Sequence, residues 1–566
     1  MSFTTRPELR GTFGMVASTH WLASGVGMSV LERGGNAFDA AVATGFLLQV
    51  VEPHLNGPGG DVPAVFYSKA QDEVRVLCGQ GPAPGAATPA AFAARGLDLI
   101  PGTGPLAAVV PGAFDAWLLM LRELGTWELA DVMAPAIAYA RDGYPVVPGI
   151  TAAIDAVEDQ LRTEWSASAE IYLPAPQPGQ LFRNLPLADA YGRLAQAQGG
   201  SREARIDAAR EAFYEGWVAE AVDSFFAAED GLLTGADLAQ WEATFEEPVT
   251  LDYHGHTICK TGPWGQGPVM LQQLALLAGF DLAAMSPGEY AHTVLECAKL
   301  AFADREAWYG DPDFVDVPLE ALLSAEYAEQ RRALVGERAS LELRPGAPDG
   351  REPILPPQAP VVEGAGVTEP TVGLAGDTCH LDVADRDGNL VSATPSGGWL
   401  HGSPIVPGLG FCMGTRAQMF WLTKGLPNSL EPGKRPRTTL TPTLVLRDGE
   451  PYMAIGTPGG DMQDQWQLNP LLGHLHLGHN LQEAIDTPNF HSNHMPSSFY
   501  PRDIHLNEVE IEERSEAIDE LRRRGHDVVV RPAWSLGRVS AVAREPDGLL
   551  KAGANPRGMQ GYAVGR

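Results

Sequence analysis

Apolar residues recur with helical spacing in several parts of the chain, and residues that start or stop helices bound these parts. Residues 20–33 carry apolar side chains on one face and are followed by Gly34-Gly35, which predicts a helix that ends there. Residues 37–51 are apolar on nearly all sides behind Asn36 as N-cap, which predicts a second helix, buried between layers. Helical spacing also predicts helices at residues 113–124, 129–141, 233–245, 290–308 (strongly amphipathic), 481–486 and 511–524.

Shorter runs of alternating or β-branched residues predict strands between these helices. Residues 62–67 and 73–78 form a predicted hairpin, and residues 385–389 supply a turn into a strand at 390–394. Apolar and polar residues alternate over residues 379–383, which is typical of a half-buried strand. Short strands that alternate with helices indicate a layered α/β architecture. Further strands are predicted at residues 248–253, 410–413, 441–447 and 451–455, with a closing hairpin at 537–543 and 549–553.

Length and charge narrow the classes of function open to this chain. Its 566 residues can bury a large core, and 71 acidic against 40 basic residues give a net charge of −31. This charge repels nucleic acid and anionic lipid, so neither is expected as a partner. Residues 1–10 contain no apolar segment of signal-peptide length, and the longest apolar run, residues 46–51, is too short to span a bilayer. We therefore expect a cytoplasmic protein.

Thr378 opens a predicted strand directly after residues 343–377, in which proline, glycine and acidic residues replace large apolar ones. This composition predicts an exposed spacer. A cut between Asp377 and Thr378 would free an α-amine with a pKa of roughly 7.7 to 8.0 beside the threonine hydroxyl. The amine would then be the base that activates this hydroxyl as a nucleophile. The alternative is that Thr378 has only a structural role in the strand.

Several dispersed motifs support the hypothesis of self-cleavage. They are GMVAS at residues 14–18, GGNAFDAAVA at 34–43, GDPDFVDVP at 310–318, GDTCHLDV at 376–383 and TPGG at 457–460. Through them the chain resembles the gamma-glutamyltranspeptidase family of N-terminal-nucleophile hydrolases over most of its length. The resemblance implies an α/β fold, a four-layer αββα sandwich formed jointly by residues 1–377 and residues 378–566 after autoprocessing, and catalysis without a cofactor.

The resemblance also implies roles for individual residues. Thr378 becomes the nucleophile, Gly459-Gly460 supplies backbone N–H groups for the oxyanion, and Ser396 hydrogen-bonds the nucleophile. Thr438-Thr439 corresponds to the pair of hydroxyl residues that line the acyl pocket. Each position also has an ordinary structural alternative, a turn for the glycines and Ser396 and a β-branched strand for the two threonines.

The chain departs from the family pattern where substrate charges are bound. Gln80, which stays a predicted substrate-binding residue, replaces the arginine for an α-carboxylate, and Met419 replaces the acid for an α-ammonium group. An uncompensated ammonium group in a closed pocket is costly. Arg416 adds a positive charge instead. Together with Gly59-Gly60-Asp61 and Gly460-Asp461 it resembles the branch with oxamate amidohydrolase and cephalosporin-acylase-like members. Arg416 is predicted to hold a carboxylate of the acyl group, the alternative being a surface arginine.

The sequence gives little support for a metal site or a disulfide framework. A histidine-rich region contains no HExxH pair and resembles a helix and loop that bind nothing in the family, so no metal is predicted. Its histidines are His474, His476, His479, His491 and His494. Five scattered cysteines lack metal-like spacing and predict buried reduced thiols.

Taken together, these features predict an autoprocessed amide hydrolase or acyl transferase with an acyl-enzyme intermediate. Gamma-glutamyl compounds such as glutathione are the default substrates that the resemblance implies, with an amine or peptide as a second acceptor besides water. A small carboxylated amide, oxamate-like or glutaryl, is the alternative, and an uncleaved binding homologue without catalysis is another. The expected partners are a small-molecule amide and the chain's own second fragment in a heterodimer, with further dimerisation left open.

Overall fold

Two antiparallel seven-stranded sheets form the centre of the computed structural model, which describes residues 3–357 and 378–566. The strands, numbered in chain order, are β1 Leu9–Gly11, β2 Gly14–Ser18, β3 Val62–Ser68, β4 Glu73–Gly79, β5 Tyr144–Pro145, β6 Leu181–Phe182, β7 Thr244–Glu246, β8 Val249–Tyr253, β9 His256–Lys260, β10 Leu381–Asp385, β11 Leu390–Ala393, β12 Thr443–Arg447, β13 Glu450–Gly456, β14 Phe490–Ser492, β15 Glu508–Glu512, β16 Asp527–Arg531, β17 Ser540–Arg544, β18 Leu550–Ala554 and β19 Tyr562–Gly565. Sheet I has the order β19-β2-β10-β11-β3-β4-β7, and sheet II has the order β1-β18-β17-β13-β12-β9-β8.

Helices cover the outer face of each sheet. They are α1 Trp21–Glu32, α2 Ala37–Val51, α3 Pro89–Ala93, α4 Ala113–Leu124, α5 Leu129–Asp142, α6 Pro148–Ala156, α7 Glu158–Thr163, α8 Ser166–Tyr172, α9 Leu185–Ala195, α10 Arg202–Tyr214, α11 Trp217–Ala228, α12 Gly235–Ala239, α13 Pro268–Leu277, α14 Pro287–Trp308, α15 Leu319–Leu322, α16 Ala325–Arg332, α17 Gln463–Trp466, α18 Leu468–Leu477, α19 Leu481–Asp486 and α20 Ile518–Arg524. Helices α1, α2 and α4 pack on sheet I, whereas α13, α14 and α18 share a core with sheet II.

The alternation of side chains along each strand divides the interior into three apolar layers. Met15 and Ala17 of β2 point into the core between the sheets, where they meet Ala454 and Val542 of sheet II. Val16, between them in sequence, points the other way into the core under α1 and α2. The same division on sheet II completes a helix, sheet, sheet, helix order. The predicted four-layer αββα sandwich is thereby confirmed.

Residues on both sides of position 378 contribute to both sheets. In sheet I, β10 lies between β2 and β11, and β11 pairs with β3. In sheet II, β12 pairs with β9. The described part of the predicted spacer, residues 343–357, lies mostly at or near the surface, and residues 358–377, with Asp377, lie outside the described residues. Sheet I and sheet II are therefore each built from strands on both sides of position 378.

Periodicity predicts most of the helices next to the sheets correctly. Helices α1, α2, α4 and α5 begin and end within one residue of the predicted bounds. Asn36 caps α2 through its side chain and forms a reciprocal capping box with Asp39. The hairpin β3–β4 and the closing hairpin β17–β18 are also present.

Two predicted helices are shorter than expected because strand pairing takes part of each sequence. Residues 233–245 form only the short helix α12, after which β7 pairs with β4 at the edge of sheet I. Residues 511–524 begin at the end of β15, which pairs with β14 and β16, and become helical only in α20. Tertiary contacts outweigh local helix propensity at both places.

Three other predictions are wrong about burial or pairing. Residues 410–413 make only isolated bridges, for example between Met413 and Gly59, and form no strand in the described structure. Helix α14 is buried on almost all sides rather than amphipathic, because neighbouring helices cover it. Strand β10 is fully buried rather than half-buried, because helices and sheet II cover its two faces.

The structure also bears on two predictions from composition. All five cysteines are buried and none forms a disulfide, which confirms the prediction of buried thiols. In the described part of the chain, every helix is too short or too polar to cross a membrane.

Asp39 provides a test of how α2 is fixed in this fold. Its buried carboxylate accepts hydrogen bonds from the backbone N–H groups of Asn36, Thr126 and Trp127 at 2.8 to 3.0 Å. We expect Asp39→Ala to lower the free energy of unfolding by about 2 to 4 kcal/mol, because several buried donors lose their acceptor. Urea unfolding followed by circular dichroism measures this. Asp131→Ala, at an exposed position of α5, should stay within about 0.5 kcal/mol, and an equal effect of both variants would contradict the assignment.

Candidate active site

The start of β10 and the end of β11 bring Thr378 next to Ser396. The antiparallel register that pairs Leu381 with Ala393 continues to an isolated bridge between Thr378 and Ser396. Their hydroxyl oxygens are 3.1 Å apart, and both residues are buried. The two hydroxyl groups are therefore within hydrogen-bonding distance without any rearrangement of the fold.

Ser396 also joins the start of β3 through its backbone. The N–H of Asp61 donates to the carbonyl of Ser396 at 2.8 Å, and the N–H of Ser396 donates to the carbonyl of Asp61 at 2.9 Å. Thr378, Ser396 and Asp61 thus lie side by side where the three neighbouring strands β10, β11 and β3 of sheet I begin or end.

Sheet II contributes the Gly459-Gly460 turn, which directly follows β13. Gly459 has a φ of 121°, and a Cβ there would lie 2.1 Å from the Trp466 ring, so only glycine fits. Neither glycine N–H donates a hydrogen bond to another described residue. The ends of β13 and β17 lie against sheet I, because Ser540 donates to Asp382 at 2.8 Å. The turn can therefore offer backbone donors at the sheet edge where Thr378 lies.

Asp461 anchors this turn from behind. Its carboxylate pairs with Arg305 at 2.5 Å and accepts hydrogen bonds from the N–H and the hydroxyl of Ser498 at 2.8 and 2.6 Å. Burial alone would raise the pKa of Asp461, but Arg305 and Ser498 outweigh burial and hold the pKa below its ordinary value. A charged Asp461 is thus the favoured form in this buried position.

Arg416 is buried beside the Thr378–Ser396 pair, so the alternative of a surface arginine is wrong. Its Nε lies 2.9 Å and its Nη2 lies 3.2 Å from the carboxylate of Asp61. The guanidinium carbon lies 5.0 Å from the centre of the Trp399 ring. Burial raises the pKa of Asp61, and the adjacent Arg416 offsets part of that rise. The Nη1 atom of Arg416 is buried and has no hydrogen-bond partner among the described residues.

The remaining predicted pocket residues lie at the same edge of the sandwich. The pairing of Val62 with Gly79 places Gln80 opposite Asp61, and the amide oxygen of Gln80 has no hydrogen-bond partner in the described structure. Thr438-Thr439 precedes β12, next to the end of β13, and the hydroxyl of Thr439 is likewise buried without a partner there. These two buried polar groups keep a hydrogen-bonding capacity that no described residue uses.

The position where related enzymes carry an acid is apolar here. Met419 is fully buried and packs with Trp399 and Phe499. The thioether side chain of Met419 supplies no counter-charge at this position, which agrees with the departure seen in the sequence.

Cys379, the neighbour of Thr378, is a poor rival nucleophile. Its thiol donates to the buried carboxylate of Glu52 at 3.0 Å. Burial, together with the charge of Glu52, raises the pKa of Cys379 well above its ordinary value. The thiol therefore stays protonated, whereas attack requires the thiolate.

Two histidines of the histidine-rich region hydrogen-bond to protein groups. His474 and His476 contact the hydroxyl groups of Tyr452 and Tyr253 at 2.6 and 2.7 Å. A separate cluster joins His292, Glu296 and His526. In that cluster Glu296 already pairs with Lys299 at 2.8 Å and with Arg344 at 3.3 Å, and these two cations would oppose a metal ion.

Several contacts at the candidate site cannot be found from the sequence. The sequence indicates Asp61 only as part of the resemblance to one branch of the family, and its partner Arg416 is 355 positions away. Asp461 follows the predicted oxyanion glycines, but its partner Arg305 lies in the middle of a helical pattern that gives no sign of a buried ion pair. Comparison of many related sequences would reveal such pairs by their joint substitution.

The sandwich, with a threonine hydroxyl at the start of a central strand, defines the architecture of the N-terminal-nucleophile hydrolases. A model of the family described as gamma-glutamyltranspeptidase matches residues 23–565. The chain belongs to this family, and it is an amidohydrolase-type enzyme by fold and relationship.

Individual relatives cover the chain from end to end. The glutathione hydrolase-like YwrD proenzyme of Bacillus subtilis is 33% identical over 98% of this chain and 99% of its own length. The oxamate amidohydrolase proenzyme of Klebsiella pneumoniae is 31% identical, and the match covers 98% of each chain. The structure named LmbA2991T421A is 55% identical, covers all of both chains and has a TM-score of 0.94. Cephalosporin acylase from Bacillus halodurans is 31% identical with a TM-score of 0.86, over 100% of this chain and 97% of its own.

These matches confirm the family and the branch predicted from the motifs, including its oxamate amidohydrolase and cephalosporin acylase members. The word proenzyme in the names of relatives fits a processed two-chain enzyme that acts on small substrates.

The buried Asp61–Arg416 pair gives a second test. We expect Asp61→Ala to lower the free energy of unfolding by about 3 to 5 kcal/mol, because it leaves the guanidinium of Arg416 buried without its counter-charge. The double variant Asp61→Ala/Arg416→Met should recover most of this loss, since both charges are then absent. Glu158→Ala breaks an exposed pair with Arg162 and should cost about 0.5 kcal/mol or less. Urea unfolding of the wild-type protein and the three variants measures these differences, and a double variant that is less stable than Asp61→Ala would contradict this account.

Proposed function

We propose that this protein is an autoprocessed amide hydrolase in which Thr378 is the nucleophile. The observation that carries the proposal is the 3.1 Å contact between the hydroxyl groups of Thr378 and Ser396 at the edge of the sandwich, in a chain that belongs to this family. Before processing, the hydroxyl of Thr378 attacks the carbonyl of Asp377, and water opens the resulting ester. The α-amine freed by this cut then serves as the base for turnover.

In turnover, Thr378 attacks the amide of a substrate and forms an acyl-enzyme. The Gly459-Gly460 turn donates N–H groups to the oxyanion, and Ser396 holds the threonine hydroxyl in position. Each role needs only groups of this chain, so the proposed mechanism uses no cofactor. Water then releases the acyl group, with an amine or peptide as the competing acceptor.

The charges around the site favour a small amide whose acyl group carries a carboxylate, such as an oxamate-like or glutaryl amide. Arg416 offers its unpartnered Nη1 as one charged donor, and Asp61 fixes the rest of the guanidinium. Neither Gln80 nor Met419 supplies a charge for the α-carboxylate or the α-ammonium group of a gamma-glutamyl substrate. Relatives named oxamate amidohydrolase and cephalosporin acylase also act on substrates other than gamma-glutamyl compounds, as their names state.

Gamma-glutamyl hydrolysis is the second candidate. It is supported by the relative named glutathione hydrolase-like and by the unpartnered amide oxygen of Gln80, which can accept a hydrogen bond from an ammonium group. Hydrolysis of oxamate, of glutaryl p-nitroanilide and of gamma-glutamyl p-nitroanilide by the purified protein distinguishes the two candidates. We further propose that the enzyme acts in the cytoplasm as a heterodimer of residues 1–377 and 378–566.

The first prediction for this function concerns the nucleophile. Purified protein should run as two bands on a denaturing gel, and Thr378→Ala should run as one, because its methyl group cannot attack the Asp377 carbonyl. Turnover should fall by about 1000-fold or more. Thr378→Ser, which keeps a hydroxyl, is the matched control and should still split. Full turnover by the Thr378→Ala variant, or an active wild-type protein that stays in one piece, would refute the proposal and favour an uncleaved binding homologue.

The second prediction concerns the acyl group. Arg416→Ala should raise the KM for glutaryl p-nitroanilide by about 10- to 100-fold, the effect expected for a lost hydrogen bond between charged groups. The KM for butyryl p-nitroanilide, which lacks the carboxylate, should change little. Steady-state kinetics with both substrates gives the comparison, and equal changes for the two would show that Arg416 has no direct contact with the carboxylate.

A further inference from the structure

A group of five buried charges lies behind the Gly459-Gly460 turn, and its charges do not balance. Two arginines share two carboxylates: Glu306 pairs with Arg305 at 2.8 Å and with Arg437 at 2.7 Å, and Asp461 pairs with Arg305. Arg502 completes the group without a carboxylate partner among the described residues. The group therefore carries an excess of one positive charge, although all its members are almost fully buried.

Arg502 uses only one edge of its guanidinium in the fold. Its Nη1 donates to the carbonyl of Met419 at 2.6 Å, and the guanidinium carbon lies 3.8 Å from the centre of the Trp421 ring. Its Nε and Nη2 atoms are buried and have no hydrogen-bond partner among the described residues. These two nitrogens form the side of the guanidinium that binds the two oxygens of a carboxylate in one plane.

The cost of this arrangement indicates a role beyond stability. An unpaired buried cation is unfavourable, and burial lowers the pKa of Arg502 to about 9 despite the nearby charge of Glu306. Arg502 also has a φ of 70°, in the left-handed region that is strained for a residue with a side chain. A neutral side chain at this position would avoid the electrostatic part of this unfavourable free energy. The charge of Arg502 therefore points to an anionic ligand that compensates it.

A cavity has Arg502 among the residues of its wall. It has a volume of about 520 Å³ and is lined by Arg502 together with Leu97, Trp421, Leu422 and Pro501, with the exposed carboxylate of Asp98 on its wall. This volume lies in the range of small-molecule sites, which combine mostly apolar walls with a few polar or charged groups.

The cavity adjoins the candidate active site through one short helical turn. Residues Arg416–Met419 form a 3-10 helix. Arg416 stands at its start and contacts Asp61, and the carbonyl of Met419 at its end accepts the hydrogen bond from Arg502. A ligand group at Arg502 would therefore lie at the far end of the turn that begins at the proposed acyl anchor.

We propose that the Nε and Nη2 atoms of Arg502 bind a carboxylate of a small molecule, in a second anionic subsite beside the candidate active site. A carboxylate fits better than a phosphate dianion, since one charge neutralises the buried group and two coplanar oxygens match the two donors. Binding can be measured without turnover, so this proposal is tested separately from the role of Thr378.

Isothermal titration calorimetry and thermal unfolding with succinate test the subsite. Succinate should bind the wild-type protein and raise its melting temperature, whereas the neutral analogue succinamide and chloride at equal ionic strength should not. Arg502→Gln should weaken succinate binding by about 10- to 100-fold. Arg502→Lys should weaken it nearly as much, because an ammonium group cannot present two coplanar donors.

The matched control is Arg514→Gln. Arg514 also stacks on a tryptophan, at 3.6 Å from the ring of Trp534, and donates to a backbone carbonyl, but it is exposed. This variant should bind succinate like the wild-type protein. The absence of succinate binding by the wild-type protein would overturn the proposal even if Arg502→Gln failed to fold. Equal binding by the wild-type protein and a folded Arg502→Gln variant would also overturn it, since the succinate would then occupy Arg416 or another site.

Inhibition kinetics with glutaryl p-nitroanilide show whether the bound carboxylate belongs to the substrate or to a separate small molecule. Competitive inhibition by succinate that is lost in Arg502→Gln would assign the subsite to a carboxylate of the substrate. Inhibition or activation that leaves the KM unchanged and is lost in the same variant would assign it to a separate small carboxylate.

Discussion

Ser396 is held by its backbone to Asp61 and by its hydroxyl group to Thr378, and the geometry of the site depends on this double attachment. The two backbone hydrogen bonds place the start of β3 beside the end of β11, and Asp61 then holds Arg416. The proposed nucleophile and the proposed acyl anchor are thus connected through one serine. Because all four residues are buried, their distances are set by the packing of the sheets rather than by flexible surface loops.

Local sequence patterns predict the helical layers well because their signals are local. The bounds of α2 follow from Asn36, from the Asp39 side chain that returns to it and from an unbroken apolar run. The same reasoning fails at residues 511–524, where pairing of β15 with β14 and β16 decides the structure of the first residues. Hydrogen bonds to strands that are distant in sequence leave no local signal.

At the candidate site, too, local motifs can be recognised in the sequence, whereas contacts between distant residues cannot. Resemblance to known motifs identifies Thr378, Ser396 and Arg416 one by one, but it does not indicate what Arg416 contacts. A single sequence cannot show that the partner of Arg416 is Asp61, or that Arg502 has no carboxylate partner among the described residues. It also leaves open whether an arginine is buried, because periodicity near residue 416 is interrupted by glycines and a short 3-10 helix.

The charges inside the protein contrast with those on its outside. The chain as a whole carries a net charge of −31, yet the buried groups next to the site include more arginines than carboxylates around Glu306 and Asp461. Screening limits the reach of surface charges to about 8 Å in physiological salt, whereas buried charges act with much less screening. An anionic substrate would therefore respond to the few cations within the site more than to the many acids outside it.

Both large sheets combine strands from the two sides of position 378. This affects how the protein would dissociate and refold after a cut at that position. Each of the two pieces would hold strands that pair with strands of the other, as β10 does with β2 and β12 with β9. Separation would require whole ladders of hydrogen bonds to break at once, so the nicked protein would remain one particle. Once denatured, however, it would have to reassemble by collision of two molecules, at a rate that falls with dilution. The fold would be easy to make once from a continuous chain and hard to make again.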